Sequence, residues 1–319
     1  MNSQAQAALK TIEDPIKLSS YNIAIKRTVG KFQEFCVTRA FGDGFPITIV
    51  PLGAFFLVFK FNQLQGSSKS IRIWVNHLRS HSVNNDFPWL CLADINRLNS
   101  IVKQLDYLDL HPTRRMQPLT YEVEALIVKQ PGVSSFVKLI IKFAREGLFR
   151  GGEVCSGLQS KKFIWMGPNR VTIHLDRSKA NRKGNGEDIT LVDHGPSSAV
   201  AMLRAHFDKY KLWKNREVLV FPSYTKTKGL DWTKGLSINQ MRSAIKEAAG
   251  KAGLDPKVFG AHSPRAGGAT DLFRLGVYYP NIKKFGRWKS DTALIYYRDQ
   301  EAVVETVMKA FGSLSNSIN

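Results

Sequence analysis

Two short spacings in the chain carry the first chemical signal. His262-Ser263-Pro264-Arg265 sets an imidazole and a guanidinium three residues apart, and Gly147-Leu148-Phe149-Arg150-Gly151-Gly152-Glu153 sets Arg150 and Glu153 three apart. If Pro264 lies in the first turn of a helix, His262 and Arg265 project from one face. Glu153 is placed to orient the Arg150 guanidinium. Two planar guanidiniums match the non-bridging oxygens of one phosphate bidentately, which is the grip a pentavalent phosphorane needs. Taken singly, Arg-x-x-Glu is an ordinary helical salt bridge and His-x-x-Arg an ordinary surface pair, so the weight rests on what surrounds them.

The elements that must position these residues follow from periodicity. Tyr21, Ile25, Val29, Phe32 and Cys36 recur at three- and four-residue intervals after a possible Ser19 or Ser20 cap. Further helices are expected at about 52–64, 70–83 and 94–108, so residues 19–110 read as an all-helical unit behind a polar arm, residues 1–18. His111-Pro112-Thr113-Arg114-Arg115-Met116-Gln117-Pro118 has no apolar period and two prolines around two arginines. It reads as a linker at 111–118 with charge suited to phosphates. Residues 119–300 then mix helices (120–129, 134–146, 202–211, 238–249, 266–275, 282–285, 291–297) with strands at 162–165, 171–175 and 186–192. Gly184-Asn185-Gly186 supplies turn chemistry between the last two strands. The expected fold is a mainly α N-terminal domain followed by an α+β domain with one small antiparallel sheet. A tail helix at 301–311, within residues 301–319, carries the apolar stripe Val303, Val304, Val307, Met308 and Phe311.

Charge narrows the partner. Lys and Arg number 46 against 26 Asp and Glu, a formal net charge of +20. Such self-repulsion is relieved by a polyanion, so DNA or RNA is expected. Cys36, Cys91 and Cys155 are widely spaced and odd in number, which argues for a reducing compartment and against a disulfide framework or zinc site. Asp and Glu do not cluster with His at ligand spacing, so no metal or other cofactor is expected and a two-metal nuclease is disfavoured. No apolar run approaches the ~20 residues of a membrane span, and no secretory signal is seen at the N-terminus.

The order Arg150, a basic hairpin, His262-x-x-Arg265, Trp288 and the pair Tyr296-Tyr297 resembles the catalytic domain of the tyrosine recombinases (the phage integrases), Cre-type members above all. Gly260 to Asp271 looks like the family's His-x-x-Arg helix, and Ile173 to Ala180 like the hairpin that carries its catalytic lysine. The resemblance covers about 120–311 and implies a helical core-binding domain before it. It implies that Tyr297, nine residues after Trp288, attacks the scissile phosphate to give a 3′-phosphotyrosine and a 5′-hydroxyl. Tyr296 is the rival if that register slips by one.

By the same resemblance, Arg150 and Arg265 neutralise the phosphorane, Lys179 protonates the leaving oxygen and His262 assists proton transfer. Trp288 stands where many relatives carry histidine. Its indole donates a hydrogen bond but cannot act as a base. Arg177, Lys161, Lys162, Arg182 and Lys183 lie near Lys179, and the lysines among them are rival acids. Glu153 is expected to support Arg150, while Arg114, Arg115, Arg177 and Arg287 are expected to contact DNA. Gly151-Gly152, where relatives carry larger residues, is expected to loosen its turn.

The implied function is a site-specific DNA recombinase. It would act as a homotetramer on double-stranded DNA with inverted-repeat sites, through a Holliday junction, without metal or ATP. A type IB topoisomerase and a non-catalytic DNA-binding module are the alternatives.

Overall fold

In a computed structural model of the 319-residue chain, the residues described are 19–58, 68–109, 115–176, 186–225, 227 and 229–296. The chain divides into two units, Met1–Thr113 and Arg114–Asn319.

In the first unit, helix α1 (Ser19–Thr38) is set by the recurrence noted above. Ile25, Val29, Phe32 and Cys36 are all buried. They meet α2 (Ile49–Val58), α3 (Ser68–Asn84) and α4 (Leu92–Tyr107) in a core that includes Phe55, Phe56, Ile71 and Leu78. Phe32 and Phe55 pack edge to face at 5.2 Å, an arrangement aromatic quadrupoles favour.

The second unit is built around α6 (Ser135–Glu146), which follows α5 (Tyr121–Val128). The Ser134 side chain caps α6 by accepting from the Val137 N–H at 3.3 Å. Phe143 on α6 stacks on Phe149 at 4.3 Å and reaches Phe221, and all three are fully buried. Each such burial stabilises by roughly 1.5–3 kcal/mol. Strands β1 (Phe163–Trp165), β2 (Arg170–Leu175) and β3 (Glu187–Val192) form an antiparallel sheet in that order, with Ile173 opposite both Phe163 and Ile189. Helices α8 (Ala199–Lys209), α9 (Ile238–Lys251), α10 (Ser263–Arg274) and α11 (Tyr279–Phe285) complete the unit, after a single-turn α7 (Gly151–Val154).

Two features depart from the sequence expectation. A second sheet pairs β4 (Pro222–Thr225) with β5 (Gly229–Gly235). Its strands are mostly polar, with only Tyr224, Leu230 and Trp232 packed against the core, so apolar alternation is too thin to mark it. The segment ending at Tyr296 is a 3-10 helix, Asp291–Tyr296, with Asp291 anchored by Lys283 and Tyr279, each at 2.8 Å. The expected tail helix lies outside the described residues.

What fixes α10 matters most for the site. Arg145 on α6 donates to Asp271 of α10 through Nε at 3.1 Å and also pairs with Glu124 of α5 at 3.2 Å. The Tyr121 N–H adds a bond to the same Asp271 carboxylate at 2.9 Å. Packing is flush: a Cβ on Gly267 would lie 1.7 Å from the Leu119 carbonyl oxygen, and one on Gly268 2.4 Å from that of Arg145. Because backbone cannot yield as a side chain can, Gly267→Ala is expected to cost about 3 kcal/mol or more. Denaturant midpoints at unchanged slope measure this.

Candidate active site

Helix α10 begins at Ser263 with Pro264 in its first turn and His262 at its N-cap, as the spacing predicts. Arg265 is 1% exposed and is the largest side chain fully buried among the described residues. Its Nη1 donates to the Leu148 carbonyl and its Nη2 to the Gly286 carbonyl at 2.5 Å. The guanidinium carbon sits 4.0 Å from the centroid of the Trp288 ring, a cation–π contact. Burial, with Arg150 and Arg287 close by, pulls the Arg265 pKa down to about 9. The guanidinium remains charged at neutral pH, and its direct hydrogen-bond partners are neutral carbonyls. Such a cation gains from an added anion.

Arg150 is the N-cap of α7, and Glu153 grips it twice. One carboxylate oxygen accepts from the Arg150 backbone N–H at 2.8 Å and the other from Nη1 at 2.6 Å. Burial alone would raise the Glu153 carboxyl, yet Arg287 and Arg150 around it hold it below the usual carboxylate range. The Arg150 side chain keeps 21% exposure, and its Nη2 donates to the Arg287 carbonyl at 3.1 Å. Gly151 tightens this turn and does not loosen it: a Cβ there would lie 2.6 Å from Ile238 and 3.0 Å from Ala261.

The His262 Nε2 is hydrogen-bonded to the Tyr296 hydroxyl. The Tyr296 ring is buried beside Trp288, 5.6 Å between centroids. Thr270 donates to the Tyr296 carbonyl at 3.0 Å, fixing that backbone against α10. Thus Arg150, Glu153, Arg265, His262, Trp288 and Tyr296 meet in one place, as an imidazole on a phenol beside two guanidiniums. The arrangement can bind a phosphodiester and move a proton off a phenol.

Tyr297, Lys179, Arg177, Arg182, Lys183 and Arg114 lie outside the described residues. Arg115 is exposed. The rivals Lys161 and Lys162 are engaged with carboxylates, Lys161 with Glu217 at 2.6 Å and Lys162 with Asp176. Arg287, expected to contact DNA, is buried in this structure. Its side chain is 7% exposed and pairs with Glu153 at 2.7 Å, on a backbone with φ of 60°. The carbonyls of Leu148, Gly286 and Arg287 carry no sequence signal, since any residue offers one. The pairing of Arg145 with Asp271 does leave a trace: charges on otherwise apolar helices usually have partners. Cys36, Cys91 and Cys155 are free thiols, and no grouping of three metal-ligand side chains occurs among the described residues. No helix among those residues is long and apolar enough to cross a membrane.

A family model described as the phage integrase family matches residues 122–302, more than half of the chain. The chain belongs to the phage integrase family. Its helices and small antiparallel sheets are the fold of solved integrases at low identity. XerH site-specific recombinase bound to difH substrate in a pre-cleavage complex is 18% identical, over 87% of this chain and 76% of that chain, with a TM-score of 0.56. A lambda integrase tetramer bound to a Holliday junction is 15% identical, over 89% and 75%, also with a TM-score of 0.56. By sequence, an integrase/recombinase xerD homolog of Selenomonas ruminantium is 28% identical over 167 residues, which is 51% of this chain. That match takes in 47% of the relative, so the chain spans about half the length of the curated integrase it matches.

Proposed function

We propose that this phage integrase family member is a site-specific DNA recombinase, of the Cre type in carrying Trp288, that breaks and rejoins strands through a 3′-phosphotyrosine. The carrying observation is the convergence of Arg150, Arg265, His262 and the Tyr296 hydroxyl. Tyr296 is proposed as the nucleophile on its contact with His262, while Tyr297, the tyrosine the family spacing selects, lies outside the described residues. His262 Nε2 takes the phenol proton as Tyr296 Oη bonds to phosphorus. The two guanidiniums neutralise charge on the non-bridging oxygens, and Trp288 holds Arg265 in place. The P–O5′ bond breaks and Lys179, between β2 and β3 in the sequence, supplies the proton that makes the 5′-hydroxyl. The phosphotyrosyl ester conserves the bond energy, so reversal by a second 5′-hydroxyl needs neither ATP nor metal.

Exchange through a Holliday junction by a homotetramer on inverted-repeat sites extends this reading, supported by the fold shared with the junction-bound lambda tetramer. The apolar tail stripe, Val303 to Phe311, is proposed to bury in a neighbouring protomer, and Arg114, Arg115 and Arg177 to lie on phosphates. A nicked duplex that loses its short 5′-hydroxyl fragment on cleavage tests the chemistry. A covalent protein–DNA adduct surviving denaturant is the expected result. Binding with no adduct would leave a DNA-binding module. Relaxation of supercoiled DNA by the monomer would favour the topoisomerase reading.

A further inference from the structure

Arg287 is a third guanidinium of the site, and its contacts are internal. Its Nη2 pairs with Glu153 at 2.7 Å and donates to the Leu148 carbonyl at 3.2 Å, while Nη1 reaches the Gly147 and Phe285 carbonyls at 3.3 and 3.2 Å. Its own carbonyl accepts from Arg150 Nη2 at 3.1 Å. Side chain and backbone of one residue therefore both fix Arg150, once through Glu153 and once directly. Its φ of 60° is unusual for a residue with a Cβ, and such conformations persist where surrounding contacts hold them.

The remaining nitrogen is the informative one. Arg287 Nε is buried without a hydrogen-bond partner, and so is Glu187 Oε2, and the two stand 3.9 Å apart. Glu187 opens β3, at the foot of the β2–β3 hairpin, and Lys179 falls between those strands in the sequence. Two buried orphan atoms of opposite charge each carry a desolvation cost. An approach of about 1 Å would convert them into an ordinary charge-assisted hydrogen bond.

We infer that Arg287 is a positioning residue that joins the phosphate-gripping Arg150, through Glu153, to the foot of the β2–β3 hairpin, through Glu187. The phosphate grip and the leaving-group acid are then set by one side chain. The inference rests on the reading that the hairpin carries that acid.

Single-turnover cleavage tests it, on substrates with oxygen or sulfur at the bridging 5′ position. Sulfur departs as thiolate and needs no proton. Arg287→Gly removes the side chain while suiting the φ of 60°. Glu187→Ala, with Glu187→Gln as a shape-preserving second variant, removes only the hairpin arm. Either Glu187 variant is expected to slow the oxygen substrate ~10-fold or more and the sulfur substrate less than ~3-fold, since a misplacement near 1 Å suffices for such losses. Arg287→Gly is expected to slow both substrates, oxygen more. The double variant should be no slower on oxygen than Arg287→Gly alone, because the two act as one unit. Equal losses on oxygen and sulfur for Glu187→Ala, or multiplied losses in the double variant, would overturn the link. Lys179→Ala is run alongside. If sulfur rescues it but not Glu187→Ala, only the link through Arg287 fails. If sulfur does not rescue it, the hairpin-acid reading fails and takes the inference with it.

Discussion

Tyr296→Phe is expected to abolish the covalent DNA adduct, by on the order of 10⁴-fold or more in rate, as loss of a nucleophile does. Tyr297→Phe is expected to leave adduct formation within ~3-fold of the parent on the same scale. The reason is placement: among the described residues the Tyr296 hydroxyl is hydrogen-bonded to His262, on a ring packed against Trp288. Removing it forfeits one hydrogen bond, worth about 1 kcal/mol, so the variant should fold and bind duplex. Adduct on the nicked substrate and affinity for an intact one, measured on both variants, separate chemistry from binding. The opposite pattern would return the nucleophile to Tyr297 and the nine-residue spacing after Trp288.

That one-residue ambiguity marks where the sequence stops being legible. Residue types and their order bring Arg150, His262, Arg265 and Trp288 to notice, because the chemistry of a phosphorane restricts what can serve. Which of two adjacent tyrosines enters the site depends on the turn before them. The segment winds as a 3-10 helix held at Asp291 by Lys283 and Tyr279, and a 3-10 helix rotates successive residues further than an α-helix does. Arg287 is misread for a related reason. An arginine in a Gly-Arg-Trp turn suggests a surface cation, and only the fold reveals that it pairs with Glu153. The strong amphipathic period of α6 declares that helix, whereas the polar β4–β5 pair declares nothing.

Phosphate grip and proton delivery should respond differently to substrate chemistry. Arg265→Lys keeps a charge but replaces a planar fork by a point. A lysine cannot serve both the Leu148 and Gly286 carbonyls in the arginine's geometry, so the phosphate loses its preorganised partner. Cleavage is expected to fall by ~10²–10³-fold, the scale of losing one such donor. Bridging sulfur should not restore it. Lys179→Ala should fall comparably on oxygen and recover on sulfur. Both variants compared on both substrates decide the assignment. Rescue of both or of neither would mean that grip and acid are wrongly divided, with Lys161, Lys162 and Lys183 the next candidates.

The buried Arg265 also has a thermodynamic side. Its folded pKa, about 9, lies below the ordinary arginine value. At neutral pH the group is charged in both folded and unfolded chain, so the cost of its burial is carried in full. Relief comes from outside, from an anion that binds the folded chain and not the unfolded one. Under the proposed function a DNA phosphate is such an anion, and bound duplex is expected to raise the unfolding midpoint. The DNA-free chain is then the less stable of the two forms, so occupancy of the site guards the fold as well as filling it.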